Sequence, residues 1–300
     1  MRISINEDYF RRTLEGPRRT PMQTIQLLKD SGFDTVDFGM FNLKTVYQGQ
    51  EHTKWVREHR EFCDKLGVKV NQTHVPFFEG RPMPEGYVER LLQCVEDSVV
   101  LGADCVVVHG DTWFEPDYIQ WDYEKVRDHI YEVFAPVVEL AAKLGTKIAF
   151  ETLFEWQGSL YHRMRFSSLV EELDELIAKF DTDAVGVCWD FGHAAMAYKG
   201  DQCKAMERLN SKIIATHTHD NITKYDNHNL PYQGNINWDE CMKTLAQKGY
   251  QGDMTLELGY GVIPEPLLPE FIRYAHKVGE HLASRFEYYK KALQTSYHLT

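Results

Sequence analysis

Six short apolar runs in this chain each end in a side chain able to bind a cation. Val68–Thr73 runs into His74, Asp104–Val108 into His109, and Lys147–Phe150 into Glu151. Ala184–Trp189 runs into Asp190, Lys212–Thr216 into His217, and Asp253–Leu256 into Glu257. A single polar residue at the end of a buried strand is ordinarily a hydrogen-bonded rim residue. Six in succession, all His, Asp or Glu, are hard to account for in that way, because an unpaired carboxylate at a buried rim is costly. The three carboxylates among them need a cation to neutralise them if they converge. Imidazole and carboxylate ligands without thiolates suit Zn²⁺, Mn²⁺, Fe²⁺ or Co²⁺ better than Ca²⁺.

More candidates trail the strand ends. His193 follows Asp190 by three residues, and Asp226 and His228 lie in the loop after the His217 run. An Asp-x-His pair in a loop is a weak signal alone. It gains weight because this loop leaves directly from a strand end and is rich in polar and turn residues, from Asp220-Asn221 to Gly234. His219 is read as a supporting residue that points away from His217.

The elements needed to bring these residues together alternate along the chain. The runs above are six strands, and Arg2–Asn6 and Phe33–Phe38 precede them as two more. Between them lie amphipathic helical stretches at Met22–Ser31, His52–Leu66, Pro84–Leu101, Tyr123–Leu144, Ser167–Phe180 and Trp238–Lys248. A broken stretch covers Ala194–Leu209, and Pro266–Tyr289 forms a last long helix. Gly32, Gly67, Gly102, Gly145 and Gly249 each stand just past a helix, where a left-handed cap favours glycine. Pro136 is expected to bend or split the fourth helix, and Ser167 to cap the fifth, with Glu171 in its first turns. Eight strands alternating with helices point to an α/β fold, a single (β/α)8 TIM barrel over residues 1–300 with the active site at the C-terminal ends of the strands. An open doubly wound sheet is the alternative, but no glycine-rich dinucleotide fingerprint follows the first strand.

Composition narrows the partners. The formal net charge of −12 gives nothing to the phosphate electrostatics that dominate nucleic-acid binding. The early basic cluster Arg11, Arg12, Arg18 and Arg19 reads as a solvated loop. The six cysteines form no Cys-x-x-Cys pair and several lie in apolar runs, so no disulfide framework is expected and a reducing, cytoplasmic setting fits. The N-terminus has no signal-peptide hydrophobic region, and no apolar stretch is long enough to cross a membrane. The last helix, with Phe286, Tyr288 and Tyr289, either covers its own barrel or packs against a second copy in a homo-oligomer.

The segments Ala-Phe-Glu151-Thr, Cys-Trp-Asp190-Phe-Gly-His193, Thr-His217-Thr-His-Asp-Asn and Thr-Leu-Glu257-Leu resemble the xylose isomerase-like TIM-barrel superfamily. That superfamily contains sugar isomerases and epimerases and the abasic-site endonucleases of family 2. The resemblance runs from Ile3 to the last helix. It implies a divalent metal, Zn²⁺ or Mn²⁺, bound by Glu151, Asp190, His217 and Glu257. By the same resemblance to the trinuclear-zinc endonucleases, His74, His109 and Glu151 would hold a second ion. His193, Asp226 and His228 would hold a third, for one to three ions in all.

Two chemistries follow. In an isomerase or epimerase, a sugar or sugar derivative loses a proton from carbon through a metal-stabilised enediolate. The resemblance gives Glu151 and Glu257 the removal and return of that proton. In a multinuclear-zinc phosphoester hydrolase, clustered metals activate a hydroxide. The loops lean towards a small polar substrate: Trp113 and Trp156 offer aromatic faces to a sugar ring, and His162 and Arg163 could hold a phosphate or carboxylate. Gln157 departs from the epimerase pattern, standing near the position at which those enzymes carry a further acid.

Overall fold

The alternation of strand and helix folds into a barrel. A computed structural model describes residues 1–14, 16–40, 50–77, 83–110, 122–154, 166–222, 225–259 and 263–297. The strands are β1 (Ile3–Asn6), β2 (Thr35–Gly39), β3 (Lys69–His74), β4 (Cys105–Val108), β5 (Ile148–Glu151), β6 (Val185–Asp190), β7 (Ile213–His217) and β8 (Met254–Leu256). They form one parallel sheet in the order β7-β6-β5-β4-β3-β2-β1-β8. The ends of the sheet meet where the Thr218 amide donates to the Thr255 carbonyl and the Glu257 amide to that of Thr218. This bridge nearly closes the barrel, which brings the strand ends to one rim.

The helices α1 (Pro21–Asp30), α2 (Gln50–Leu66), α3 (Tyr87–Leu101), α4 (Tyr123–Leu144), α5 (Val170–Phe180), α6 (Phe191–Ala197), α7 (Gln202–Arg208), α8 (Trp238–Gln247) and α9 (Leu268–Tyr297) surround the barrel. Each turns an apolar face inward, as Val126, Ile130, Phe134, Val137 and Ala141 do from α4. Pro136 lies inside α4 without dividing it, because burial of that face outweighs the backbone hydrogen bond a proline forfeits. Gly102 and Gly145 end α3 and α4 in left-handed conformations, which lets the chain turn back into the next strand. The expected serine cap on α5 is not used. The helix begins at Val170, and Glu172 accepts from the Leu169 amide while Ser167 lies before the helix at φ 67°.

Inside the barrel, Cys105, Val107, Ala149, Cys188 and Ala215 form a small-residue layer. A polar chain rises beside it. Ser4 donates to Asn71, Asn71 donates to Thr255, and Thr255 donates to Gln72. Gln72 then donates to Asp37 at 3.3 Å. On the outside, Phe286 of α9 is buried against the ring of Tyr250, while Tyr288 is exposed.

The seam between β6 and β7 tolerates no side chain at Gly186, where a Cβ would lie 2.8 Å from the Lys212 carbonyl oxygen and 2.9 Å from Ile214. Gly186→Ala is therefore expected to lower stability by about 1–3 kcal/mol, seen as a lower urea midpoint. An unchanged midpoint would contradict this packing.

Candidate metal centre

The barrel collects the strand-end residues because parallel strands all present their C-terminal ends on one rim. His74, Glu151, Asp190 and His217 are the last residues of β3, β5, β6 and β7, while His109 and Glu257 directly follow β4 and β8. All six are buried. His217 lies at the centre. Its Nδ1 is 3.3 Å from Glu151 Oε2, 3.4 Å from Glu257 Oε2 and 3.8 Å from Asp190 Oδ2, and it makes no hydrogen bond with any of them. On its other edge Nε2 lies 3.4 Å from Asp37 Oδ2.

Glu151 gathers the second group. Its Oε2 is 3.0 Å from His74 Nε2 and 3.2 Å from His109 Nε2, and its Oε1 is 3.0 Å from His193 Nδ1. The third group surrounds Asp226, whose Oδ2 is 3.0 Å from His228 Nε2 and 3.3 Å from His193 Nε2. Seven of the nine residues expected from the sequence, His74, His109, Glu151, His193, Asp226, His228 and Glu257, line one cavity of about 250 Å³, and Asp190 and His217 pack against them. Asp8, Tyr9, Phe77 and Phe154 complete its wall among the described residues. Trp113, Trp156, His162 and Arg163 lie outside the described residues.

His219 is not the outward-facing support expected of it. Residues two apart on an extended segment share a face, so His219 points to the same rim as His217. Its Nε2 lies 3.1 Å from Asp190 Oδ2, and its ring stacks on His228 with centroids 4.2 Å apart. It joins His193, Asp226 and His228 in a group whose ligand atoms lie within 4.8 Å of one another. Gly192 makes this possible, because a Cβ there would lie 1.9 Å from the His219 ring.

Asp37 also escaped the strand-end pattern, since it sits inside β2 and carries no flanking motif. Its signal was an acid between Val36 and Phe38 on a strand buried throughout. Arg11 is not solvated either. It is buried with its guanidinium paired to Glu7, and it donates to the Gly39 carbonyl oxygen at 3.0 Å just past β2. A fork of fixed donors braces that strand end better than a solvated loop could.

Asp190 has a second task. Its Oδ1 accepts from the His193 amide at 2.6 Å and so caps α6, fixing where His193 begins. Asp220 orders the loop that carries Asp226 and His228 by accepting from the amides of Tyr232 and Ile236 and from Trp238 Nε1.

Burial works against charge on Glu151, Asp190, Asp226, His74, His193, His217 and His228, yet their neighbours overrule it. His217 and His109 hold Glu151 well below the usual carboxylate range, and His193 does the same for Asp190 and, with His228, for Asp226. In return the carboxylates lift His74 and His193 above the ordinary imidazole value and push His228 up to about 9, and Cys188 together with Glu257 and Glu151 lifts His217. The pocket demands positive charge, which either protons or metal ions can supply.

The donor set fits ions. Two buried atoms, His217 Nδ1 and Glu257 Oε2, face each other at 3.4 Å with no hydrogen bond to either. Donors about 3.4 Å apart are what a tetrahedral centre with bonds of about 2.1 Å produces. Glu151, Asp190, His217 and Glu257 would hold one such ion, and His193, His219, Asp226 and His228 another.

The chain is thus a (β/α)8 barrel with a buried cluster of His and carboxylate side chains at its C-terminal rim, a candidate site for divalent metal. Residues 25–278 match the family model described as xylose isomerase-like TIM barrel, and the chain belongs to that family. It is 29% identical over 226 residues to the uncharacterized protein MJ1311 of Methanocaldococcus jannaschii, covering 71% of each chain. Among solved structures it is similar to a D-tagatose 3-epimerase-like protein, at TM-score 0.73 and 24% identity, over 98% of this chain and 100% of the other. It is also similar to D-psicose 3-epimerase with D-tagatose from Clostridium cellulolyticum H10, at TM-score 0.72 and 15% identity, over 94% and 99%.

A ligand that binds only the folded state raises the unfolding temperature. Protein stripped with a chelator is expected to unfold at lower temperature and to recover on addition of Zn²⁺ or Mn²⁺, whereas His217→Ala should show a smaller recovery. Identical melting with and without metal in the unmutated protein would count against the centre.

Proposed function

We propose that this protein is a divalent-metal-dependent isomerase or epimerase that moves a proton on a sugar or sugar derivative. The observation that carries this reading is Glu257 on the cavity wall. Its carboxylate lines the cavity and its Oε2 makes no hydrogen bond, so it can serve an ion through that oxygen and keep a lone pair of the other for a proton. A proton acceptor needs such a reachable lone pair. Both oxygens of Glu151, by contrast, are contacted by histidines. Glu257 therefore takes the proton from carbon. Glu151 returns it, which requires one of its histidine contacts to yield. A bound divalent ion supplies Lewis acidity, stabilising the negative charge that develops on the substrate oxygens. Trp113, Trp156, His162 and Arg163 keep their assignment as substrate contacts in this reading. The epimerases among the structural relatives support it.

A second reading is a multinuclear-zinc phosphoester hydrolase. The observation that favours it is the cluster of His193, His219, Asp226 and His228, which shares no residue with the four around His217 and offers a ligand set of its own. The net charge of −12 works against a nucleic-acid substrate.

Deuterium uptake from D₂O into candidate ketoses, run beside cleavage of an abasic-site duplex, separates the readings. Exchange without cleavage is expected, and cleavage without exchange would overturn the isomerase assignment. Glu257→Gln is expected to reduce exchange by about 10²–10⁴-fold, the range lost with a general base. Full exchange in that variant would remove Glu257 from its role. Asp226→Ala is expected to lower the metal content per chain while leaving the ion at His217 in place. Unchanged metal content by elemental analysis would mean that the Asp226 cluster holds no ion.

A further inference from the structure

Away from the barrel mouth, Cys203 in the first turn of α7 and Cys241 in the first turn of α8 face each other with their sulfurs 3.6 Å apart. Both line a cavity of about 480 Å³ whose wall also carries Lys199 and Glu240. We propose that Cys203 and Cys241 form an oxidisable dithiol, converted to a disulfide by a hydroperoxide that enters this cavity. The sulfurs need only close from contact distance to the disulfide length of about 2.05 Å. The cavity supplies the access that buried thiols ordinarily lack.

The two thiols are unequal, which sets the order of events. The Cys241 contact, opposed by burial, draws the Cys203 thiol below its ordinary value, and the same contact together with burial pushes Cys241 well above. The thiolate is the nucleophile, so Cys203 reacts first. Its sulfur attacks the terminal peroxide oxygen, the O–O bond breaks, and the alcohol leaves with the thiol proton. This gives a sulfenic acid on Cys203. Cys241 sulfur then attacks that sulfur, the S–O bond breaks, and the hydroxyl leaves as water with the Cys241 proton. Two thiols lose two electrons in total, and one peroxide is reduced.

The remaining cysteines provide an internal comparison. All six cysteines are buried in apolar clusters of the core, and Cys203 and Cys241 differ in facing each other and in lining this cavity. Burial pushes Cys63 up to about 11 and Cys105 up to about 12. The chain between the paired thiols carries His217, His219, Asp226 and His228. A cross-link would therefore tie off the segment that brings four candidate ligands to the rim.

The full chain would be treated with tert-butyl hydroperoxide, denatured in alkylating agent and mapped as peptides without reduction. The expected product is a Cys203–Cys241 cross-link, lighter by two hydrogens than the separate peptides and reversed by dithiothreitol, with the other four cysteines alkylated. In Cys241→Ser, dimedone should trap a sulfenic acid on Cys203, while Cys203→Ser should give no adduct on Cys241. Recovery of both residues in the treated, unmutated protein as alkylated thiols or as sulfinic acids would overturn the proposal. A cross-link together with a dimedone adduct on Cys241 in Cys203→Ser would overturn the order of attack.

Discussion

One imidazole, buried among carboxylates, governs the rest of this molecule. His217 has Glu151, Asp190 and Glu257 around one ring nitrogen and Asp37 beside the other. So many acids around one ring, out of reach of solvent, are tolerable only with compensating positive charge. Protons on the histidines can provide it, and so can metal ions, which leave the imidazoles neutral and free to act as ligands. The raised His74, His193, His217 and His228 describe the same demand from the protein's side.

The fold serves that constraint from below and from the side. The polar chain from Ser4 through Asn71, Thr255 and Gln72 runs up the barrel interior to Asp37, whose Oδ2 lies 3.4 Å from His217 Nε2. Such supporting partners fix a ligand's direction and basicity. Asp190 joins the two candidate ligand groups, facing His217 with one oxygen while the other caps α6 and sets the position of His193. Gly192 lets the His219 ring lie flat against the backbone. The Asp220 hub holds the loop that returns Asp226 and His228 to the rim. Small changes in these supports would alter the geometry of the site without touching a ligand.

The barrel and most of the site were legible in the sequence for one reason. A parallel strand buried on both faces reads as an apolar run, and the first residue that cannot be buried unpaired marks its end. That mark identified His74, His109, Glu151, Asp190, His217 and Glu257. It could not identify Asp37, which sits within its strand, or Arg11, whose neighbours looked like a solvated basic loop until Glu7 turned it inward. His219 was assigned to the wrong side although the two-residue spacing of an extended segment puts it on the face of His217, and the Thr218 bridge to β8 keeps the chain extended there. Pro136 and Ser167 carried genuine local preferences that packing overrode, the first through the buried face of α4 and the second through Glu172 capping α5. The Cys203–Cys241 contact joins two helices far apart in sequence, and no spacing rule foretells such a pair.

The central claim is that the carboxylates at the barrel rim exist to hold cations. Its most direct test is anomalous diffraction from crystals of the protein grown with Zn²⁺, recorded on both sides of the zinc absorption edge. The expected result is an anomalous peak within bonding distance of His217 Nδ1 and of carboxylate oxygens from Glu151, Asp190 and Glu257. Well-ordered density for these four side chains with no peak between them, or peaks confined to the protein surface, would contradict it.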